Sequence, residues 1–241
     1  MIGRARIGTS GFVYAHWRGL FYPRNLRTKD WLPFYMKQFD TVEINSTFYR
    51  LPEKGTFMQW ESAAPEGFVY AVKAGRFITH LKKLKEPGKS LKVFMERASF
   101  LKDTLGPILF QLPPNWGRNT ERLEEFVESL PPSRRFAFEF RDLSWFNEEV
   151  YAILRKRGIA LCIYHMVDFT TPFEVTAPFV YLRFHGRGAL YGGRYSRSFL
   201  REWADLIRGY LKKGLDVYAY FNNDEAAYAA VNAKELREMA G

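Results

Sequence analysis

Short apolar runs alternating with helical stripes organise this 241-residue chain. Eight runs read as β-strands: 4–9, 40–45, 68–74, 107–112, 135–140, 159–164, 179–184 and 216–221. They are rich in Val, Ile, Phe and Tyr, and Gly, Pro, Asp or Asn bound most of them. Between the runs, apolar residues recur three or four apart, the period of a half-buried helix. Over 90–106 these are Leu91, Phe94, Ala98, Leu101 and Leu105, with Ser90 as N-cap and Gly106 as the stop. Leu123, Phe126, Val127 and Leu130 form a stripe over 119–132. Phe199, Trp203, Leu206, Ile207 and Tyr210 form another over 198–214. Shorter helical patterns occupy 29–38, 53–63, 146–157 and 224–239.

Strand and helix alternating in this way predict an α/β fold with a parallel sheet. Eight units in a chain of this length fit a single (β/α)8 TIM-barrel domain over 1–241, a fold that typically takes about 250 residues. The stretch 165–178 has no helical period, so the crossover after the sixth strand is expected to be irregular. An open doubly wound sheet is the rival architecture. It predicts no gathering of residues at eight strand ends.

Strand residues alternate between faces, and in a barrel the inner face ends at the C-terminal mouth, where this fold keeps its active sites. In the second strand Val42 and Ile44 face the helices, which turns Glu43 and Asn45 inward. Lys73 ends the inner face of the third strand and Gln111 that of the fourth. Glu139 and Arg141 follow Ala137 on the fifth, opposite Phe136, Phe138 and Phe140. Tyr181, Arg183 and His185 share a face on the seventh, and Tyr218, Tyr220 and Asn222 on the eighth. Any one of these could be a satisfied core residue. Glu43, Lys73, Glu139, Arg183 and His185 arriving together are harder to explain structurally, because an unpaired buried charge costs several kcal/mol. After the seventh strand the glycine- and arginine-rich loop 185–197 is expected to act as an anion-binding lid.

The formal charge is +10 and the sequence pI about 9.6. The excess is clustered: residues 73–97 carry eight Lys or Arg against two acids, and residues 183–213 repeat that balance. Clustered positive charge suits polyanions or phosphorylated ligands, and it also describes an ordinary solvated surface. Apolar residues make up 47% of the chain and mean hydropathy is −0.30, so a substantial core is available. The single cysteine, Cys162, lies in an apolar run, which excludes an internal disulfide framework and a cysteine-rich zinc site. No run reaches the roughly 18 apolar residues of a membrane span, and the charged N-terminus has no signal-like apolar stretch. A cytoplasmic protein with no membrane partner is expected.

Several familiar motifs fail. Residues 88–90 (GKS) lack the earlier glycine and the strand of a phosphate loop. Residues 8–11 (GTSG) are not a nucleophile elbow, and no H-E-x-x-H occurs. Glu43, Glu139 and His185 are metal-ligand types, but Lys73 and Arg183 beside them would oppose a divalent ion. No metal is expected and no cofactor is required.

Seven blocks in order, 8-GTSGFVYAHWRGLFYP-23, 42-VEINSTFYRLP-52, 69-VYAVKAGRFITH-80, 109-LFQLPPNW-116, 137-AFEFRDLSW-145, 181-YLRFHGR-187 and 218-YAYFNNDEAAYAAVNA-233, resemble domain-of-unknown-function family 72, the YecE-like proteins. The resemblance spans nearly the whole chain. It implies a TIM barrel and carries no particular reaction. It also implies that Glu43, Asn45, Tyr49, Lys73, Gln111, Glu139, Arg183, His185 and Asn222 belong to the family's cavity.

Three functions from different classes fit these residues. The first is an enzyme for a small anionic ligand, phosphorylated or carboxylated. In it Glu43, Lys73, Glu139 and His185 supply acid–base or nucleophilic chemistry. Arg141, Arg183 and Arg187 bind the anion, Asn45, Gln111 and Asn222 orient it, and Trp17, Tyr49 and Tyr191 stack on it. Hydrolase, lyase and isomerase chemistry stay open. Neutralising Glu43 or Glu139 is expected to abolish turnover with the thermal melt intact. The second is a nucleic-acid-binding or -processing barrel using Arg24, Arg27, Lys82 and Lys83. The third is a ligand sensor without turnover. The oligomeric state stays open.

Overall fold

The computed structural model describes residues 2–167, 169–188 and 191–241. Its first half comprises β1 (Ala5–Thr9), α1 (Trp31–Met36), β2 (Thr41–Ile44), α2 (Ser46–Tyr49), α3 (Lys54–Ala63), β3 (Val69–Lys73), α4 (Gly88–Ser99) and β4 (Leu105–Gln111). Then follow α5 (Thr120–Glu128), β5 (Phe136–Glu139), α6 (Glu148–Lys156), β6 (Ala160–Met166), β7 (Phe169–Thr170), β8 (Phe179–Phe184), α7 (Arg197–Lys212), β9 (Asp216–Phe221) and α8 (Tyr228–Ala240). The sheet runs β1-β9-β8-β6-β5-β4-β3-β2, with β7 attached to β6 alone. A parallel bridge from Ser10 to Glu43 joins the segment after β1 to β2. This is the strand order of a (β/α)8 barrel.

The residues form two compact units, and the division falls within β2 and within β6. The first comprises 1–43, 163–171 and 179–241. In it β9 pairs in parallel with β1, from Ala5↔Val217 to Thr9↔Phe221, and with β8, from Phe179↔Asp216 to Phe184↔Phe221. Gly8 brings β1 against β2: a Cβ there would lie 2.4 Å from the Thr41 carbonyl oxygen, so a side chain is excluded. Leu200, Trp203, Ala204, Ile207 and Tyr210 form the buried stripe of α7, each apolar side chain worth roughly 1.5–3 kcal/mol when fully buried. Leu200 and Ala204 take the place expected for Phe199 and Leu206, which are only half-buried. Phe184 stacks on Phe221 with ring centres 4.4 Å apart.

The second unit comprises 44–162 and 172–178. Here β4 pairs with β5 from Ile108↔Phe136 to Gln111↔Glu139, and β5 with β6. Phe138 stacks on Phe110 at 5.2 Å, and the edge of Phe126 from α5 meets both rings. This aromatic layer fixes one face of the β4–β5 pair, so Gln111 and Glu139 emerge on the other. Asn119 caps α5, its Oδ1 accepting from Arg122 N at 2.9 Å.

One sequence expectation is corrected. The helix read over 90–106 spans Gly88–Ser99, and its N-cap is Pro87, not Ser90. Leu101 and Leu105 continue the apolar period but belong to the following turn and to β4, and Gly106 is a strand residue. Its missing Cβ would clash at 2.3 Å with Val69 Cγ1, which explains a glycine there without any helix stop. Neither Asn223 nor Asp224 caps α8. The N-cap is Ala227, in the left-handed region at φ 58°, with no side-chain cap. Asn223 instead donates to Gly193 O at 2.8 Å and to Asn232 Oδ1 at 3.1 Å, tying the loop before α7 to α8.

Candidate functional site

In the first unit the alternation of β2 and β8 brings Glu43, Tyr181 and Arg183 onto one face. Glu43 is wholly buried and accepts three hydrogen bonds, from Ser10 Oγ at 2.5 Å, Tyr181 OH at 2.6 Å and Arg183 Nη2 at 2.8 Å. Arg183 is 1% exposed and also donates to Ser10 Oγ at 3.2 Å. Burial, and then the Glu43 charge, holds the Tyr181 phenol well above its ordinary range, so it stays a donor. His185, also wholly buried, lies 3.5 Å from Arg183 Nη1 through Nε2 and 3.2 Å from the Asn222 amide through Nδ1. The Asn222 atom in that contact is its amide Nδ2, so both ring nitrogens face groups able to donate.

The loop after β8 begins at His185, and its residues Ala189 and Leu190 lie outside the described residues. Much of its backbone is already bonded. Gly186 N donates to Tyr195 OH, Arg187 N to Gly192 O, Tyr191 N to His185 O, and Gly193 N to the Glu225 carboxylate. Those N–H groups do not face a ligand, which narrows the lid expectation to side chains. Arg187 is exposed, 3.5 Å from Ser196 Oγ. Tyr191 is 40% exposed and meets the His185 ring edge-on at 5.8 Å. Trp17 is enclosed at 0% exposure, its Nε1 donating to Asp224 O, and so offers no open face.

In the second unit the register sets Gln111 beside Glu139, and Gln111 Nε2 donates to Glu139 Oε1 at 2.9 Å. Arg141, two residues on, clamps the same oxygen through Nε and Nη2, both at 2.5 Å. Glu139 Oε2 takes the Cys162 thiol at 3.7 Å. Lys73, at the end of β3, has its ammonium 4.1 Å from the centre of the Phe48 ring. Asn45 stands at the N-cap position of α2 without capping it, and Tyr49 is 80% exposed.

Sequence reasoning missed His80. It sits in a π-helical turn, Phe77–Leu81, beyond the end of β3, where strand alternation does not reach. Its ring meets Phe48 edge-on at 5.0 Å and Thr79 Oγ1 at 2.9 Å. Burial, and then the charges of Lys73, Arg76 and Arg141, push His80 down from 6.5 to about 4. Ser10 was missed as well. It lies just beyond β1, and only the bridge to Glu43 reveals its role. Among the described residues no three His, Cys, Asp or Glu side chains group as a metal site, and no helix is long and apolar enough to cross a membrane.

Comparison with known proteins follows the same lines. A solved DUF72 family protein from Thermotoga maritima MSB8 is 30% identical and superposes with a TM-score of 0.88, covering 98% of each chain. One from Enterococcus faecalis V583, 21% identical, has a TM-score of 0.81 over 98% of this chain and 95% of that one, which speaks to fold alone. The UPF0759 protein YunF of Bacillus subtilis (strain 168) is 24% identical over 254 aligned positions, 90% of this chain and 89% of that protein. The UPF0759 protein YecE of Escherichia coli K12 is 29% identical over 131 positions, 52% of this chain and 48% of that protein. The family model described as "Protein of unknown function DUF72" matches residues 6–241, and the chain belongs to that family.

Proposed function

We propose that the protein is an enzyme acting on a small anionic substrate, phosphorylated or carboxylated, through acid–base chemistry at the C-terminal ends of its strands. One observation carries this reading. In the second unit Lys73, Arg76 and Arg141 all bear on His80, while Glu139 answers Arg141 directly. Three cations gathered around one imidazole favour an anion as guest.

The carboxylates take a supporting role in this reading. Glu43 and Glu139 are each already engaged by an arginine, Arg183 at 2.8 Å and Arg141 at 2.5 Å. They act as positioning residues that aim Arg183 and Arg141. Proton transfer falls to Lys73, at the end of β3 in the same unit as His80. Within the second unit Arg141 meets the anion, Asn45 and Gln111 orient it, and Tyr49 supplies ring surface.

The test is a panel of sugar phosphates and of hydroxy and keto acids, incubated with the protein in D2O and followed by 1H and 31P NMR. Conversion, or deuterium uptake at carbon, of at least one member is expected, and Lys73→Gln should slow it about a hundredfold or more. Saturable binding with no conversion or exchange would replace the enzyme with a sensor. Binding of DNA or RNA oligonucleotides that weakens steeply with salt, with no small ligand competing, would favour a nucleic-acid partner.

A further inference from the structure

A cavity of about 520 Å³ lies within the second unit, among α2, the turn after β3 and the first half of α4. That volume falls in the usual range for small-molecule sites, roughly 300–1,000 Å³. Its walls have two characters. Phe48, Tyr49, Phe77, Ile78, Val93 and Phe94 give it an apolar lining. Tyr49, Phe77 and Val93 are nonetheless 80%, 52% and 41% exposed, an unusual concentration of uncovered apolar surface. The charged lining residues are Arg76, Lys82 and Lys89, with no carboxylate among them. Lys82 is answered by Glu86 at 3.2 Å, whereas Arg76 and Lys89 form no ion pair among the described residues.

The backbone that builds this wall is irregular in a way that apolar packing alone does not require. Residues 77–81 form a π-helical turn, a rare form often found at functional sites. Immediately after it Lys83, Leu84 and Glu86 all have left-handed φ, at 47°, 65° and 47°. None is a glycine, and such residues persist only where surrounding structure holds them. Burial of Leu84 is one such restraint. The result is that Arg76, Phe77 and Lys82 face one hollow.

We infer that this cavity binds an amphipathic anion: a small molecule with an aromatic or branched apolar body and one phosphate or carboxylate head. The body lies against Phe48, Phe77 and Val93, and the head meets Arg76 and Lys89. This deepens the anionic-substrate reading by giving the anion a body, but it requires binding only. Failure of every turnover assay would leave it standing, and failure of binding here would leave acid–base chemistry on other anions untouched.

The probes are 1-naphthyl phosphate, neutral 1-naphthol and inorganic phosphate, titrated calorimetrically into the full chain at fixed ionic strength. Naphthyl phosphate is expected to bind at least about tenfold more tightly than either fragment, since body and head are recognised together. Arg76→Gln with Lys89→Gln, both at exposed positions, should bring its affinity down to that of naphthol with an unchanged melt. Val93→Glu should weaken it by a further route, setting an acid in the lining. The His80 ring resonances should report the same event, their titration midpoint rising as the bound head offsets Arg76. Equal affinity for naphthol and naphthyl phosphate, indifference to the paired Gln substitutions, or inorganic phosphate binding as tightly as the ester would each overturn the assignment. So would a nucleic-acid oligomer that excludes the ester while naphthol leaves it bound.

Discussion

Replacing Glu43 by Gln removes one charge while nearly preserving side-chain shape. Glu43 is 0% exposed and its partner Arg183 is 1% exposed, so neither can turn to solvent. Oε1 accepts from both Ser10 and Arg183, and a Gln oxygen can keep both bonds. The Gln NH2 would face Tyr181, whose hydroxyl can rotate to accept. What cannot be repaired is the guanidinium left buried without its counter-charge, which costs about 3–5 kcal/mol. With the hydroxyls able to adjust, the lower end is expected, about 3 kcal/mol. That corresponds to a fall in Tm of about 6–12 °C for a chain of this size. This replaces the expectation from sequence that neutralising Glu43 leaves the melt intact. The assay is urea unfolding of Glu43→Gln, Arg183→Met and the double variant, with Asp30→Asn as an exposed-pair control. Each buried single should lose about 3 kcal/mol or more, and the double should lose much less than their sum. Asp30, paired with Arg27 at the surface, should cost under about 1 kcal/mol. The reasoning is refuted if Glu43→Gln unfolds within about 0.5 kcal/mol of wild type, or if the two buried substitutions simply add.

His80 should titrate by NMR near pH 4, not 6.5, and Arg76→Gln should raise that midpoint. The sign follows from linkage: the unfolded chain takes its proton near 6.5 and the folded chain resists until about 4, so this stabilisation is complete above 6.5 and declines as pH falls between those values. A midpoint at 6.5 would remove the cation cluster. Ala226 is exposed with φ 48°, so Ala226→Gly should gain about 0.5–1 kcal/mol, the relief of left-handed strain less the added chain entropy. Calorimetry that finds Ala226→Gly less stable than wild type would contradict that backbone assignment.

The sheet was largely legible because its strands advertise themselves. Runs 179–184 and 216–221 match β8 and β9 residue for residue, each opening at a Pro or Asp boundary. Alternation also predicted the inward turn of Glu43, Tyr181 and Arg183, which do share one hydrogen-bonded cluster, and of Gln111, Glu139 and Arg141, which share another. Helix ends were less legible where apolar spacing ran on through Leu101 and Leu105 into the next strand. Residues placed by irregular backbone were invisible. His80 depends on a π-helical turn and Ser10 on one bridge, and neither leaves a periodic trace. The enclosure of Trp17 was equally hidden, since aromatic composition does not say which rings Tyr14, Phe21 and Tyr22 will cover.

Closure of the sheet between β1 and β2 runs through bare backbone at Gly8, the bridge at Ser10 and Glu43, a bond from Gly11 N to Glu43 O, and the Tyr35 hydroxyl, which accepts from Thr9 N and donates to Thr41 O. Glu43 is therefore both rivet and counter-ion. Selection for new chemistry could keep the seam's backbone bonds while changing that side chain, but only by stranding Ser10, Tyr181 and Arg183 together, so diversification within such a scaffold should flow through neighbours with fewer dependants.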